Sequence, residues 1–165
     1  MGTGAKARLV QAEADRASLV AHFALALAAL RDFEQIGDGG TLRIIDGWNA
    51  ILRLRNVAKL TSEEISALKA EYLSALGIAA ASPAIPLTTW IVFDGPEENS
   101  YRSGPYRVTY TGGTGLHRAD HMILDYVHAA KILGVDPARI TVETADKALA
   151  KRLRAYGASV EGFTS

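Results

Sequence analysis

Residues 42–49 read LRIIDGWN, in which the short, largely apolar run LRIID at 42–46 ends on an acid, and residues 88–94 repeat the device as TTWIVFD. Runs this short are strands rather than helices. Bounded by helical stretches instead of tight hairpin turns, they predict a parallel sheet. Working outward, Thr61 and Glu64 have the spacing of a helix capping box, and Ile65, Leu68, Tyr72, Leu73 and Leu76 follow at helical intervals. Pro83 to Pro86 reads as a connection and Thr88 to Asp94 as the second strand. Gly95, Pro96, Gly104 and Pro105 predict a loop over 95–106, with a third, shorter strand from Arg107 to Thr111. A helix from Arg118 to Leu133 closes at Gly134, and a fourth strand runs from Arg139 to Thr144. The last helix spans Lys147 to Tyr156 with Gly157 as its C-cap, and Ala158 to Glu161 makes a fifth strand. Alternation of this kind defines an α/β class: an open parallel sheet of four or five strands with helices on both faces.

Upstream, residues 7 to about 36 carry one long helical pattern, with Leu19, Phe23, Leu27, Leu30 and Phe33 on one stripe. Asp38, Gly39 and Gly40 stop it. The chain therefore divides into an N-terminal helical extension, 1–40, and an α/β domain, 41–165. The apolar stripe either docks on its own domain or forms a homodimer face. Its core, Leu19 to Leu30, is short for a membrane span, is broken by His22, and has acidic flanks that suit a signal peptide poorly.

At 165 residues the chain can bury one sizeable core but not two. Eighteen basic residues balance eighteen acidic ones, so any contact with a polyanion must be local. Cysteine is absent, which removes disulfide scaffolds and thiolate chemistry and is compatible with a reducing cytoplasm.

The acids carry the functional signal. Asp46 and Asp94 end strands, Asp146 lies just past the fourth strand, and Asp120 opens the helix after the TGGTG turn at 111–115. In an open parallel sheet the carboxyl ends of the strands share one edge, and ligands bind in the crevice there. Four carboxylates at one edge repel one another unless cations fill the gap, and hard oxygen donors suit magnesium or manganese. Singly, each aspartate also reads as a helix cap.

DGWN at 46–49, VFDG at 92–95, RAD at 118–120 and TAD at 144–146 together resemble, in order and spacing, the NYN branch of PIN-like domains, especially its YacP-like members. The resemblance spans Leu42 to Ser165 and implies a PIN-like sheet and a metal-dependent endoribonuclease acting on RNA through one or two Mg or Mn ions. It implies Asp46, Asp94, Asp120 and Asp146 as the catalytic and metal-binding acids. Asn49 then orients Asp46, and Thr144 matches the Ser/Thr that precedes the last acid. YacP-like members commonly carry an ETAD-like run at the third aspartate, where this chain has His117, Arg118 and Ala119. That departure favours an alternative, a catalytically weak RNA-binding or ribosome-associated module. A nucleotide or sugar-phosphate binder of the doubly wound class is a third reading.

Arg102, Arg107, Arg118 and Lys147 are the expected phosphate contacts, and Tyr101 and Tyr106 the expected base-stacking residues. Arg139, Lys151, Arg152 and Arg154 add local positive charge and read mainly as a solvated helix face. His117 and His121 have a zinc-compatible spacing without a third strong ligand. The TGGTG turn lacks a P-loop lysine, so its glycines are read as supplying positive φ.

Overall fold

The computed structural model describes residues 31, 40–52, 60–78, 84–95, 97–112 and 118–162. The expected N-terminal helix, apart from Arg31, and most of the TGGTG turn lie outside the described residues. Among the described residues five strands form one sheet in the order β3-β2-β1-β4-β5. They are β1 (Leu42–Asp46), β2 (Ala84–Phe93), β3 (Glu98–Thr111), β4 (Ile140–Glu143) and β5 (Ser159–Glu161). All four pairings are parallel. Four α-helices connect them: α1 (Gly47–Leu52), α2 (Ser62–Ala75), α3 (Arg118–Ile132) and α4 (Lys147–Ala155).

Alternation along each strand sorts the core into two layers. Leu42 and Ile44 of β1, Trp90 and Val92 of β2 and Ile140 and Val142 of β4 face α3 and α4, meeting Ile123, Val127, Leu149 and Leu153. Ile45, Ile91, Phe93 and Val108 point the other way, toward α1 and α2. Handedness explains the split: the chain winds from β1 out to β3, then crosses back over β1 to β4 and β5. Right-handed crossovers in opposite directions put their helices on opposite faces. Beyond β1 the second face turns polar, and Arg43 bridges Glu143 and Glu161 across three strands.

The helix ends follow the local chemistry. Thr61 and Glu64 form the capping box, with side chain to backbone bonds of 3.1 and 3.3 Å. Gly134 and Gly157 take positive φ where α3 and α4 stop.

Two boundaries differ from expectation. First, β2 begins at Ala84, so Pro86 lies inside the strand. The missing proline donor coincides with a register shift between Ala84 and Thr89. Second, residues 98–103 are extended rather than looped. A 14-residue strand would span roughly 46 Å, yet the Ser100 and Thr109 hydroxyls lie 2.9 Å apart. The element therefore doubles back at Gly104, where φ is +55°, and only its second arm pairs with β2. Trp90 Nε1 donates to Thr109 Oγ1 at 2.8 Å from within the core and ties this hairpin to the sheet.

The glycine of DGWN has a packing cause. A Cβ at Gly47 would overlap the Phe93 ring, which is fully buried between Trp48 (edge-on, 5.1 Å) and Tyr110 (stacked, 5.5 Å) and has nowhere to go. Gly47→Ala is expected to destabilise the fold by at least about 1–3 kcal/mol, the usual cost of overpacking a filled core. Urea denaturation measures this, and an unchanged midpoint would contradict the packing.

Candidate functional site

A sheet of order 3-2-1-4-5 reverses direction between β1 and β4, and the crevice outside the carboxyl ends of those strands is where such folds bind ligands. Asp46, the last residue of β1, sits there with only 3% of its surface exposed. Its Oδ2 accepts from Asn49 Nδ2 at 2.6 Å and from the Thr144 hydroxyl at 3.4 Å. Asn49 lies one turn into α1, and Thr144 follows β4, so the carboxylate is held from both sides of the crevice.

Asp120, near the start of α3, brings its carboxyl within hydrogen-bonding reach of Asp46. Burial first, then the charge and hydrogen bond of Asp120, push the Asp46 carboxyl up to about 7. Hydrogen bonding from Asn49 opposes this, and the charge of Asp94 adds a smaller push in the same direction. Asp46 and Asp120 are thus close enough to share a proton, with the charge of Asp94 felt more weakly.

Asp94, just past β2, is committed to helix geometry. Its Oδ1 accepts the Ala119 backbone N–H at 2.7 Å, in the first turn of α3, and lies 3.4 Å from the Thr111 hydroxyl. The Trp48 indole donates to the Asp94 carbonyl at 2.8 Å and fixes that loop, a contact not anticipated from the sequence. Its only signal there was a large donor side chain within DGWN. Asp146 is the N-cap of α4, accepting from Ala148 and Leu149 backbone N–H groups at 2.9 and 3.0 Å. Its own N–H donates to Thr144 Oγ1 at 3.1 Å, so one threonine hydroxyl connects Asp146 to Asp46. Asp146 meets Asp120 across a cleft between α3 and α4, whose walls also hold His121 and Arg152.

The expected substrate residues are dispersed. Tyr101 and Tyr106 pack with Phe93 and Tyr110 in the second core layer, and burial pushes the Tyr101 hydroxyl up. Arg102 reaches the Gly104 carbonyl at the hairpin turn, at the opposite end of β2 from the acids, on the order of 20 Å away at about 3.3 Å per residue. Arg107 pairs in register with Trp90, partway along the strand. Arg118 and Lys147 open α3 and α4 at the acidic edge. His117 lies outside the described residues.

The donors suit a hard cation in part. Asp46 and Asp120 present converging carboxylate oxygens, and magnesium commonly binds through one or two carboxylates while keeping several waters. Among the described residues no group of three or more acids and histidines is drawn together as one ion shell. Asp94 and Asp146 are thus not gathered with that pair into one shell.

No family model matches the sequence. No curated protein matches it either. Among solved structures, the fold is similar to the crystal structure of a point mutant of Rae1 (YacP) from Bacillus subtilis, at 19% sequence identity and a TM-score of 0.45. The match covers 74% of this chain and 69% of that one. An overlap this loose carries no chemistry from one protein to the other.

The raised Asp46 carboxyl sets a pH dependence whose sign is fixed. Folding favours its protonated form, so without divalent cation stability is greatest below the unfolded value near 4. It falls as pH rises toward about 7 and then levels off. The total penalty is on the order of 4 kcal/mol. Asp46→Asn is expected to be more stable than wild type at pH 8 in EDTA and to lose this slope. Thermal unfolding across pH measures it, and parallel pH profiles for the two proteins would contradict the assignment.

Proposed function

We propose that this protein is a metal-dependent endoribonuclease whose Asp46 and Asp120 hold a magnesium or manganese ion at the crevice between β1 and β4. The observation that carries the reading is the buried Asp46 carboxylate facing the half-buried Asp120 at the switch point of the sheet. Two carboxylates brought this close gain from a divalent ion that replaces the proton between them. When bound, such an ion supplies an activated water and neutralises charge developing on a phosphodiester.

The chain's own residues supply the frame. Asn49 and Thr144 hold one Asp46 oxygen, which leaves its orientation little freedom. Asp94 and Asp146 fix the starts of α3 and α4, and so fix where Asp120 and the cleft walls stand. RNA as substrate is supported by the ordered DGWN, VFDG, RAD and TAD motifs and their resemblance to NYN domains. Among the described residues no helix is long and apolar enough to cross a membrane, and a cytoplasmic location accords with the cysteine-free sequence.

A second reading keeps the RNA and drops the hydrolysis. It is favoured by the His117, Arg118 and Ala119 run where YacP-like sequences commonly place an acid. Cleavage of single-stranded RNA in manganese separates the two. The nuclease reading expects Asp46→Asn and Asp120→Asn each to lower kcat/KM by about a hundredfold or more, the scale of losing one or more transition-state interactions, with circular dichroism unchanged. Wild-type protein that retains RNA in manganese but never cuts it would instead establish the binding module. Full activity in both variants would reject the cation site.

A further inference from the structure

Between the first halves of α3 and α4 lies a cleft of about 300 Å3, lined by Asp120, His121 and Leu124 on one side and Asp146, Leu149 and Arg152 on the other. Further along the same two helices, His128 of α3 stacks on Tyr156 at the C-cap of α4, with ring centroids 4.7 Å apart. The floor of the cleft is apolar, since Leu124 and Leu149 are buried members of the core. The polar groups stand at the rim.

That rim is chemically mixed. Asp120 and Asp146 lie toward the crevice between β1 and β4. Arg152 lies four residues along α4 from Ala148, on the same face and about 6 Å further from the helix start. A guanidinium beside two carboxylates ordinarily pairs with one of them. Arg152 does not: among the described residues it makes no ion pair, and its side chain is exposed. It therefore stands ready for an anion from outside, and its planar fork suits the two non-bridging oxygens of a phosphate. His121 offers a ring N–H from the opposite wall.

We propose that this cleft is a phosphate subsite, in which Arg152 grips a phosphodiester of single-stranded RNA beside the Asp46–Asp120 site, with His121 as a second donor. This rests on the nuclease reading for its neighbouring cation but makes a separate claim about binding. An apolar floor with one fork-shaped cation and one ring donor holds a backbone phosphate without reading a base. Affinity through the cleft is thus sequence-independent, and Arg152 is a positioning residue rather than a chemical one.

Two measurements on the full chain test it. A fluorescent single-stranded oligoribonucleotide is titrated with calcium present, and cleavage kinetics are followed with manganese. Arg152→Ala is expected to weaken binding about tenfold and to raise KM by a similar factor, the loss of one charge-assisted contact, with kcat within roughly threefold. Arg152→Lys should recover part of the affinity, since it keeps the charge but not the fork. The manganese-dependent shift in Tm should be unchanged, which a structural role for Arg152 would not predict. Unaltered binding in Arg152→Ala overturns the subsite. So does an equal loss in Lys151→Ala, an exposed neighbour that does not line the cleft, or a wild-type protein that fails to bind the oligonucleotide. Wild-type protein that binds with the expected Arg152 dependence but cleaves nothing upholds the subsite and rejects the hydrolysis.

Discussion

A carboxylate buried at a strand end beside a second carboxylate is costly, and the rest of this molecule is arranged around that cost. Asp46 is 3% exposed and faces Asp120, an arrangement that burial and like charge both resist. Nothing in the folding of a parallel sheet requires it, because a serine or asparagine would end β1 equally well. Ile44 of the same strand and Phe93 and Val142 of its two neighbouring strands are fully buried. A domain of this size has a net stability of only about 5–15 kcal/mol, so a penalty on the scale of a few kcal/mol is a large fraction of it. Sites that retain such strain are expected where function demands the charge.

The topology makes the convergence possible. Asp46 and Thr144 come from neighbouring strands that are nearly a hundred residues apart in the chain, and β1 and β4 meet only because α3 carries the chain back over the sheet. The same crossover delivers Asp120 from its first turn to the mouth of the crevice. β1 is central and paired on both sides: Asp46 is held in register with Val92 of β2, and Ile45 before it with Glu143 of β4. Rigidity at the acid is thus a consequence of strand order.

Much of this was legible in the residues. Apolar runs ending on acids gave the strands, the Thr61 and Glu64 pair gave the start of α2, and Gly134 and Gly157 gave helix ends, because each signal is local. The parts that were not legible depend on pairing at a distance. Residues 98–103 look like loop by their own composition and become extended because the 106–111 arm lies beside them. Pro86 looks like a connection and is accommodated by a register shift that only the partner strand reveals. At the site, the spacing of the motifs placed the acids at one edge. It did not disclose that Tyr101 and Tyr106 are drawn into the aromatic cluster around Phe93 or that Arg102 turns toward Gly104. Composition shows that an arginine is nearby in sequence, while the direction of its hairpin arm decides where it ends up.

The four aspartates, equivalent in the sequence, divide their work in the fold. Asp94 and Asp146 each spend an oxygen on backbone N–H groups in the first turn of the following helix, the role of a cap. A negative charge at such a position is also favoured by the helix dipole. Asp46 has no such relief. It follows a strand, its bonds come from two side chains, and its nearest charged neighbour is another acid. The cap reading and the metal reading of these residues are therefore not rivals. The two capping acids aim α3 and α4, those helices set the position of Asp120 and the cleft, and the Asp46–Asp120 pair that results is where an added positive charge relieves the like-charge repulsion.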